Sequence, residues 1–165
     1  MTTEELEQEK KNIGTAGALR NFKNILRPEK DFLFIYGDVL AEINLSDFIE
    51  FHQKYSSLAT VALTSVDDPS IWGAVKLQGI KAVDFKEKML QKQTPASHLI
   101  SAGIYMLNSQ IFDYIPNIPK KISLEKDILP KLIADEKLSG YPFEGAWFDV
   151  STPQIYEQVI KKWRK

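Results

Sequence analysis

The stretch Phe32-Leu33-Phe34-Ile35-Tyr36-Gly37-Asp38 decides how this chain folds. Its first five residues are apolar or aromatic without a polar break, and Gly37 stops the run at strand length, so it reads as a β-strand buried on both faces. Asp38 then stands at the carboxyl end of that strand. Immediately downstream, Leu45, Phe48, Ile49, His52 and Tyr55 fall on one face of an amphipathic helix that Asn44 can cap, and Thr60 to Val66 forms a second buried strand. Strand, helix, strand in that order implies a parallel α/β sheet.

Upstream, Leu19, Phe22 and Leu26 recur at helical spacing behind Gly14-Thr15-Ala16-Gly17, and Pro28 stops the pattern, which starts a helix close to Thr15. Residues 1–12 are almost wholly polar, with Thr2 or Thr3 as the cap of a short helix. Downstream, Gly73 to Leu77 and Ile80 to Lys86 flank Gln78-Gly79 as a hairpin, and a polar loop covers 91–98. Leu99 to Leu107 is again apolar, Ile111, Phe112 and Ile115 mark a short helix, and Ser123 caps a helix from Leu124 to Ile133 in which Pro130 is a kink or a restart. Leu138 to Phe143 and Ala146 to Val150 pattern as a second hairpin around Glu144-Gly145, and Thr152-Pro153 opens a last helix.

Composition removes several classes of function. The 165 residues are 44% hydrophobic, enough for one core and a single domain over 1–165. Twenty-one basic residues against 22 acidic ones leave a net charge of -1, so no nucleic-acid partner is expected. With no cysteine there is no disulfide, thiolate nucleophile or Cys-based zinc site. No apolar run reaches membrane-spanning length and the N-terminus is acidic and polar where a leader would be basic, so a soluble cytoplasmic protein without a membrane partner is expected.

Candidate chemistry gathers at a few positions. Asp38 and Asp149 each end a strand, where ligands collect in open parallel sheets, although either can equally be a turn or capping aspartate. Two strand-end carboxylates can share one Mg²⁺ completed by phosphate oxygens and water. The glycines of the Gly14 to Gly17 loop would bring bare amides to a helix N-terminus, a setting for a nucleotide's base edge or phosphates, but also for a plain tight loop. His52 completes an apolar helical face and His98 has no partner in view, so neither is a candidate ligand.

Four segments, Ile13-Gly14-Thr15-Ala16-Gly17-Ala18-Leu19, Phe34-Ile35-Tyr36-Gly37-Asp38, Phe85-Lys86-Glu87-Lys88 and Trp147-Phe148-Asp149-Val150-Ser151-Thr152-Pro153, together resemble the sugar-1-phosphate nucleotidylyltransferases, most closely the mannose-1-phosphate guanylyltransferase-like branch. Trp72-Gly73-Ala74-Val75, Ser101 to Tyr105 and Leu124-Glu125-Lys126-Asp127-Ile128-Leu129-Pro130 share the likeness. The resemblance implies a Rossmann-like three-layer α/β/α fold with a mostly parallel mixed sheet. It implies nucleotide binding at Gly14, Thr15, Ala16 and Gly17, sugar binding at Gly73, Glu87, Lys88 and Gly103, and catalytic roles for Lys88, Asp38 and Asp149, the two aspartates holding Mg²⁺. The expected substrates are a nucleoside triphosphate and a sugar-1-phosphate. Met89 departs from the family, which usually has proline there to fix the turn after Lys88.

The family's first strand and its glycine-rich, arginine- and lysine-bearing phosphate loop have no counterpart in residues 1–165, so the chain corresponds to the C-terminal two-thirds of the family domain. Two readings follow: an enzyme domain for nucleotidyl transfer, or a noncatalytic sugar-nucleotide-binding or regulatory subunit. Either way the Phe32 strand is left with an open edge, and open edges invite pairing. A homo-oligomer, or pairing with a chain that supplies the missing unit, is expected.

Overall fold

A computed structural model describes residues 13–87 and 97–163. In chain order these form α1 (Thr15–Asn21), α2 (Lys23–Leu26), β1 (Asp31–Ile35), β2 (Val39–Ala41), α3 (Leu45–Tyr55), β3 (Ala59–Ser65), β4 (Gly73–Gln78), β5 (Lys81–Glu87) and β6 (Leu99–Asn108). A 3₁₀ turn (Ser109–Asp113) and a π-helical turn (Leu124–Ile128) lead into α4 (Leu129–Ala134), β7 (Leu138–Pro142), β8 (Trp147–Asp149) and α5 (Pro153–Lys162). The helix proposed for the first dozen residues lies outside the described residues. No helix among those described is long and apolar enough to cross a membrane.

Six strands form one sheet in the order β1-β6-β3-β7-β5-β4, and β2 and β8 make a separate two-stranded ribbon. The sheet is mixed. β1 and β3 run antiparallel to β6, β3 runs parallel to β7, and β5 runs antiparallel to β7 and to β4. Four strands therefore point one way and β5 and β6 the other, although β3 and β7 are the one parallel pair of neighbours. The α/β expectation from strand, helix, strand holds for direction, and β6 inserts between β1 and β3 because its long apolar run pairs with both.

Helices cover both faces, giving the three layers. On one face Leu19 of α1, Leu124, Ile128, Leu129 and Leu132 pack on Phe32, Val61, Leu63, Tyr105 and Leu107. On the other, Phe48 of α3 packs on Ala62, Ala102, Ile104 and Met106, and Val39, Ala41 and Trp147 of the ribbon close the same cluster. Fully burying a side chain such as Leu107 or Phe48 stabilises the fold by roughly 1.5–3 kcal/mol. The local signals for α3 are those its sequence carries. The Asn44 side chain accepts from the amides of Ser46 and Asp47, and Ser56 closes the helix in the left-handed region at φ 47°. Pro130 sits in the first turn of α4, where its missing N–H costs nothing, and the helix restarts there after the π-helical turn.

Two expectations are corrected. β1 is not buried on both faces: Phe32 is buried, but Leu33 and Ile35 are 37% and 42% exposed. Among the described residues β1 is an edge strand and α3 packs over β3, β6 and β7 rather than over that face of β1. The stretch from Leu138 to Val150 is not a hairpin either. β7 joins the main sheet beside β3, whereas β8 leaves to pair with β2, a strand the sequence did not announce.

His52 is buried as its position on the apolar face of α3 implies, and its ring bridges two elements. Nδ1 lies 2.7 Å from the Thr60 hydroxyl and Nε2 3.4 Å from Asp31, which also accepts from Asn108 at 2.8 Å. Burial holds the His52 pKa below 6.5, and Asp31 only partly offsets it. A depressed pKa contributes stability that is present above the unfolded value and lost as pH falls through the folded one. Unfolding midpoints should therefore drop as pH falls below 6.5, and His52→Gln should flatten that slope. Parallel pH profiles for the two proteins would disprove the assignment.

Candidate functional site

The candidate site lies where β1 gives out. The backbone turns at Tyr36 to Val39, with the Val39 N–H donating to the Tyr36 carbonyl at 3.2 Å, and enters the ribbon. Between this turn, β4, β6 and the π-helical turn lies a cleft of about 280 Å³. Thr15, Asp38, Gly73, Gly103 and Asp149 all line it, so five positions spread along most of the chain meet in one place. Tyr36, Trp72, Phe85, Tyr105 and Trp147 supply aromatic walls. Trp72 and Trp147 stack edge to face at 5.0 Å, and the Trp147 indole N–H donates to the Ala102 carbonyl at 3.0 Å.

The ribbon brings the backbones of the two aspartates together. Val39 stands opposite Asp149, and the Val150 N–H donates to the Asp38 carbonyl at 2.7 Å, so Asp38 and Asp149 are adjacent across the end of the ladder, and both line the cleft. Asp38 is exposed and Asp149 half-buried. The Asp149 Oδ1 atom is buried and has no hydrogen-bond partner, alone in this respect among the described side chains. A buried carboxylate oxygen without a donor is costly unless a cation neutralises it. No group of three or more His, Cys, Asp or Glu side chains forms a metal cage among the described residues. A carboxylate pair completed by phosphate and water is the donor set a Mg²⁺ ion accepts, so the residues present fit that ion.

The glycine loop differs from its expectation. Its amides are not bare: the Ala16 and Gly17 N–H groups donate to the Ile122 carbonyl at 3.0 and 3.3 Å, and the Ala18 N–H donates to Gly14. Gly14 adopts φ 78°, and a Cβ there would stand 2.4 Å from the Ile122 carbonyl oxygen. The glycine thus permits close approach of the chain's own backbone, and of the four loop residues Thr15 is the one that lines the cleft.

Gly103 shows why a small residue sits at the cleft. It has φ 72°, and a Cβ would press on Val39 and Tyr36 at 3.0 and 3.1 Å. Gly73 faces the Phe85 ring, which a Cβ would meet at 2.7 Å. Glu87 ends β5 directly opposite Gly73, which puts its backbone at the cleft. Lys88 and Met89 lie outside the described residues.

One residue went unnoticed as a site candidate. Glu125, on the π-helical turn, lines the cleft, and its carboxylate accepts hydrogen bonds from Thr15 at 3.1 Å, Ser123 at 2.9 Å, Tyr105 at 3.2 Å and Tyr36. Burial pushes its carboxyl above the ordinary range, with the Thr15 hydroxyl among the opposing influences. The signal for it was present, since a carboxylate interrupts the apolar spacing of Leu124, Ile128, Leu129 and Leu132.

Beyond the end of β1, a three-layer α/β domain thus carries two aspartates and a set of aromatic walls around one cleft. The sequence matches the model of the nucleotidyl transferase family across residues 1–165, and the chain belongs to that family, which holds the sugar-1-phosphate nucleotidylyltransferases its segments resemble. A mannose-1-phosphate guanyltransferase of Yarrowia lipolytica is 36% identical over 147 residues, covering 87% of this chain and 39% of that protein. The mannose-1-phosphate guanylyltransferase catalytic subunit beta of Dictyostelium discoideum is 33% identical over 146 residues, covering 87% and 39%. HddC from Yersinia pseudotuberculosis, solved with GMP-PN, superposes with a TM-score of 0.73 at 25% identity, covering 94% of this chain and 65% of that one. The chain spans about two fifths of the length of the curated relatives it matches.

Proposed function

We propose that the cleft binds a nucleoside triphosphate and a sugar-1-phosphate, and that the protein transfers the nucleotidyl group to the sugar phosphate. A phosphate oxygen of the sugar-1-phosphate attacks the α-phosphorus in line, a new P–O bond forms, and the bond to pyrophosphate breaks. The observation that carries this reading is the convergence of Asp38 and Asp149, one with an unpartnered buried oxygen, on the cleft shared by Thr15, Gly73 and Gly103. Asp38 and Asp149 would hold Mg²⁺, which when bound neutralises charge on the phosphate oxygens. Thr15 marks the nucleotide end, Gly73, Gly103 and Glu87 the sugar end, and Lys88 is assigned to the sugar phosphate, where an ammonium suits the charge. The names of the relatives put guanine and mannose first. The edge of β1, with which no other described strand pairs, with Leu33 and Ile35 exposed beside it, supports pairing with another chain or segment.

A thermal-shift series with nucleotide sugars, with and without Mg²⁺, tests the reading. A ligand at about 100 times its Kd should stabilise the fold by roughly 2.7 kcal/mol. A guanosine diphospho-sugar should give the largest shift, and pyrophosphate release from triphosphate and sugar-1-phosphate separates transfer from binding alone. No shift with any nucleotide sugar in either condition would remove the proposal.

A further inference from the structure

We propose that Glu125 is a positioning residue that couples the two ends of the cleft, holding the nucleotide-side Thr15 and the sugar-side Tyr105, Ser101 and Gly103 on the two oxygens of one carboxylate. The proposal rests on the assignment of nucleotide and sugar ends given above.

On the Oε2 side the hydrogen-bond directions are set by backbone donors, and on the Oε1 side by the carboxylate as acceptor. The Leu124 N–H donates to the Thr15 hydroxyl oxygen at 2.7 Å, which leaves the Thr15 hydrogen for Glu125 Oε2 at 3.1 Å. The Lys126 N–H donates to Ser123 Oγ at 3.2 Å, so Ser123 also turns its hydrogen to Oε2, at 2.9 Å. On the other oxygen, Tyr36 and Tyr105 donate to Oε1. Because Tyr105 gives its hydrogen to Glu125, it accepts from the Ser101 hydroxyl 2.8 Å away, and Ser101 Oγ in turn accepts the Gly103 N–H at 3.3 Å. A relay of single-sense hydrogen bonds thus runs from the Gly103 amide to Glu125 and meets there the bond from Thr15, 110 residues away in sequence.

Four hydroxyl donors can end on one side chain only if it is acceptor-only, which is the property of an ionised carboxylate. Glutamine has the same shape but donates from one end, so two hydroxyls would lose their acceptor whichever way the amide turns. The residue sits on a π-helical turn, a distortion frequently found at functional sites. Glu125 itself needs no contact with substrate for this role. It acts through Thr15 and Gly103.

The test uses the full chain and two readouts. In the ligand-free protein, Thr15→Val should speed amide exchange at Gly103 about tenfold, and should have no such effect in a Glu125→Gln background, because the link is already broken. In the second readout, Glu125→Gln should weaken binding of GDP-mannose roughly 10- to 100-fold, the scale of losing a hydrogen bond to a charged group, measured well below the variant's unfolding midpoint. Gly103 exchange that ignores Thr15→Val would overturn the coupling whatever the binding result. Unchanged affinity of the folded Glu125→Gln protein would reduce Glu125 to a structural residue. If the unsubstituted protein binds no nucleotide sugar, the assignment of the cleft fails, while the exchange experiment still decides the role of Glu125.

Discussion

Asp149→Asn should remove the Mg²⁺-dependent part of nucleotide-sugar binding while leaving the fold as stable as before or more so. The two effects have opposite signs for one reason. Asp149 Oδ1 is buried without a donor, so in the absence of a cation that oxygen is left without a partner, at a cost. Asparagine removes the charge and keeps the shape, which relieves that cost. It also removes a ligand oxygen, and since disturbing even the partners of metal ligands costs about 10- to 100-fold in affinity, loss of the ligand itself should cost at least about 100-fold. Titration calorimetry with Mg²⁺ and with a chelator, beside denaturant unfolding, reads both effects. Asp38→Asn should weaken binding in the same direction without the gain in stability, because Asp38 is exposed. Mg²⁺-dependent binding that survives Asp149→Asn unchanged would show that the carboxylate pair is not the metal site.

Gly14→Ala should be among the most damaging single changes in the molecule, at about 3 kcal/mol or more. At φ 78° and ψ 168° the backbone is in a region essentially reserved for glycine, which alone costs roughly 1–3 kcal/mol for another residue. A Cβ would also stand 2.4 Å from the Ile122 carbonyl oxygen. That oxygen cannot withdraw, because it accepts from Ala16 and Gly17 while the Ile122 N–H donates to Ile13. Gly37→Ala is the control: a Cβ there would meet nothing within 4 Å. It should change stability by no more than about 1 kcal/mol. Urea unfolding of the two variants decides the matter, and equal midpoints would mean that the Gly14 loop is looser than its hydrogen bonds imply.

What the sequence made legible was what short-range chemistry determines. The Asn44 cap, the α3 face from Leu45 to Tyr55, the start of α1 at Thr15, the hairpin at Gln78-Gly79 and the Thr152 cap of α5 each depend on neighbours a few residues away, and each stands where its pattern implied. Choice of partner was not legible. Nothing in Val39-Leu40-Ala41 distinguishes a loop from a strand until Trp147-Phe148-Asp149 is beside it, and Glu144-Gly145 looks like a hairpin turn whether or not its flanks pair. The same limit governs the site. Asp38 and Asp149 were visible because each follows an apolar run, whereas the capture of the Ala16 and Gly17 amides by Ile122 depends on a segment over a hundred residues away. Glu125 escaped notice because its donors Thr15, Tyr36, Tyr105 and Ser123 are scattered along the chain and converge only once the sheet is formed.

The ribbon that carries Asp149 is also a short and only half-buried part of the molecule. β8 contributes three residues, all only half-buried, and of α5 behind it Val159 alone is buried, so the segment after β7 is held by a three-rung ladder, the Trp147 bond to Ala102 and the packing of Phe143 and Trp147 on the second core cluster. Segments held this way open far more often than the sheet they lean on. Each opening would carry Asp149 away from Asp38 and dissolve the cation site without unfolding the rest. Cation affinity and the integrity of the C-terminal segment are then two views of one equilibrium: bound Mg²⁺ bolts the segment shut, and whatever protects the segment raises the affinity for the ion by the same factor.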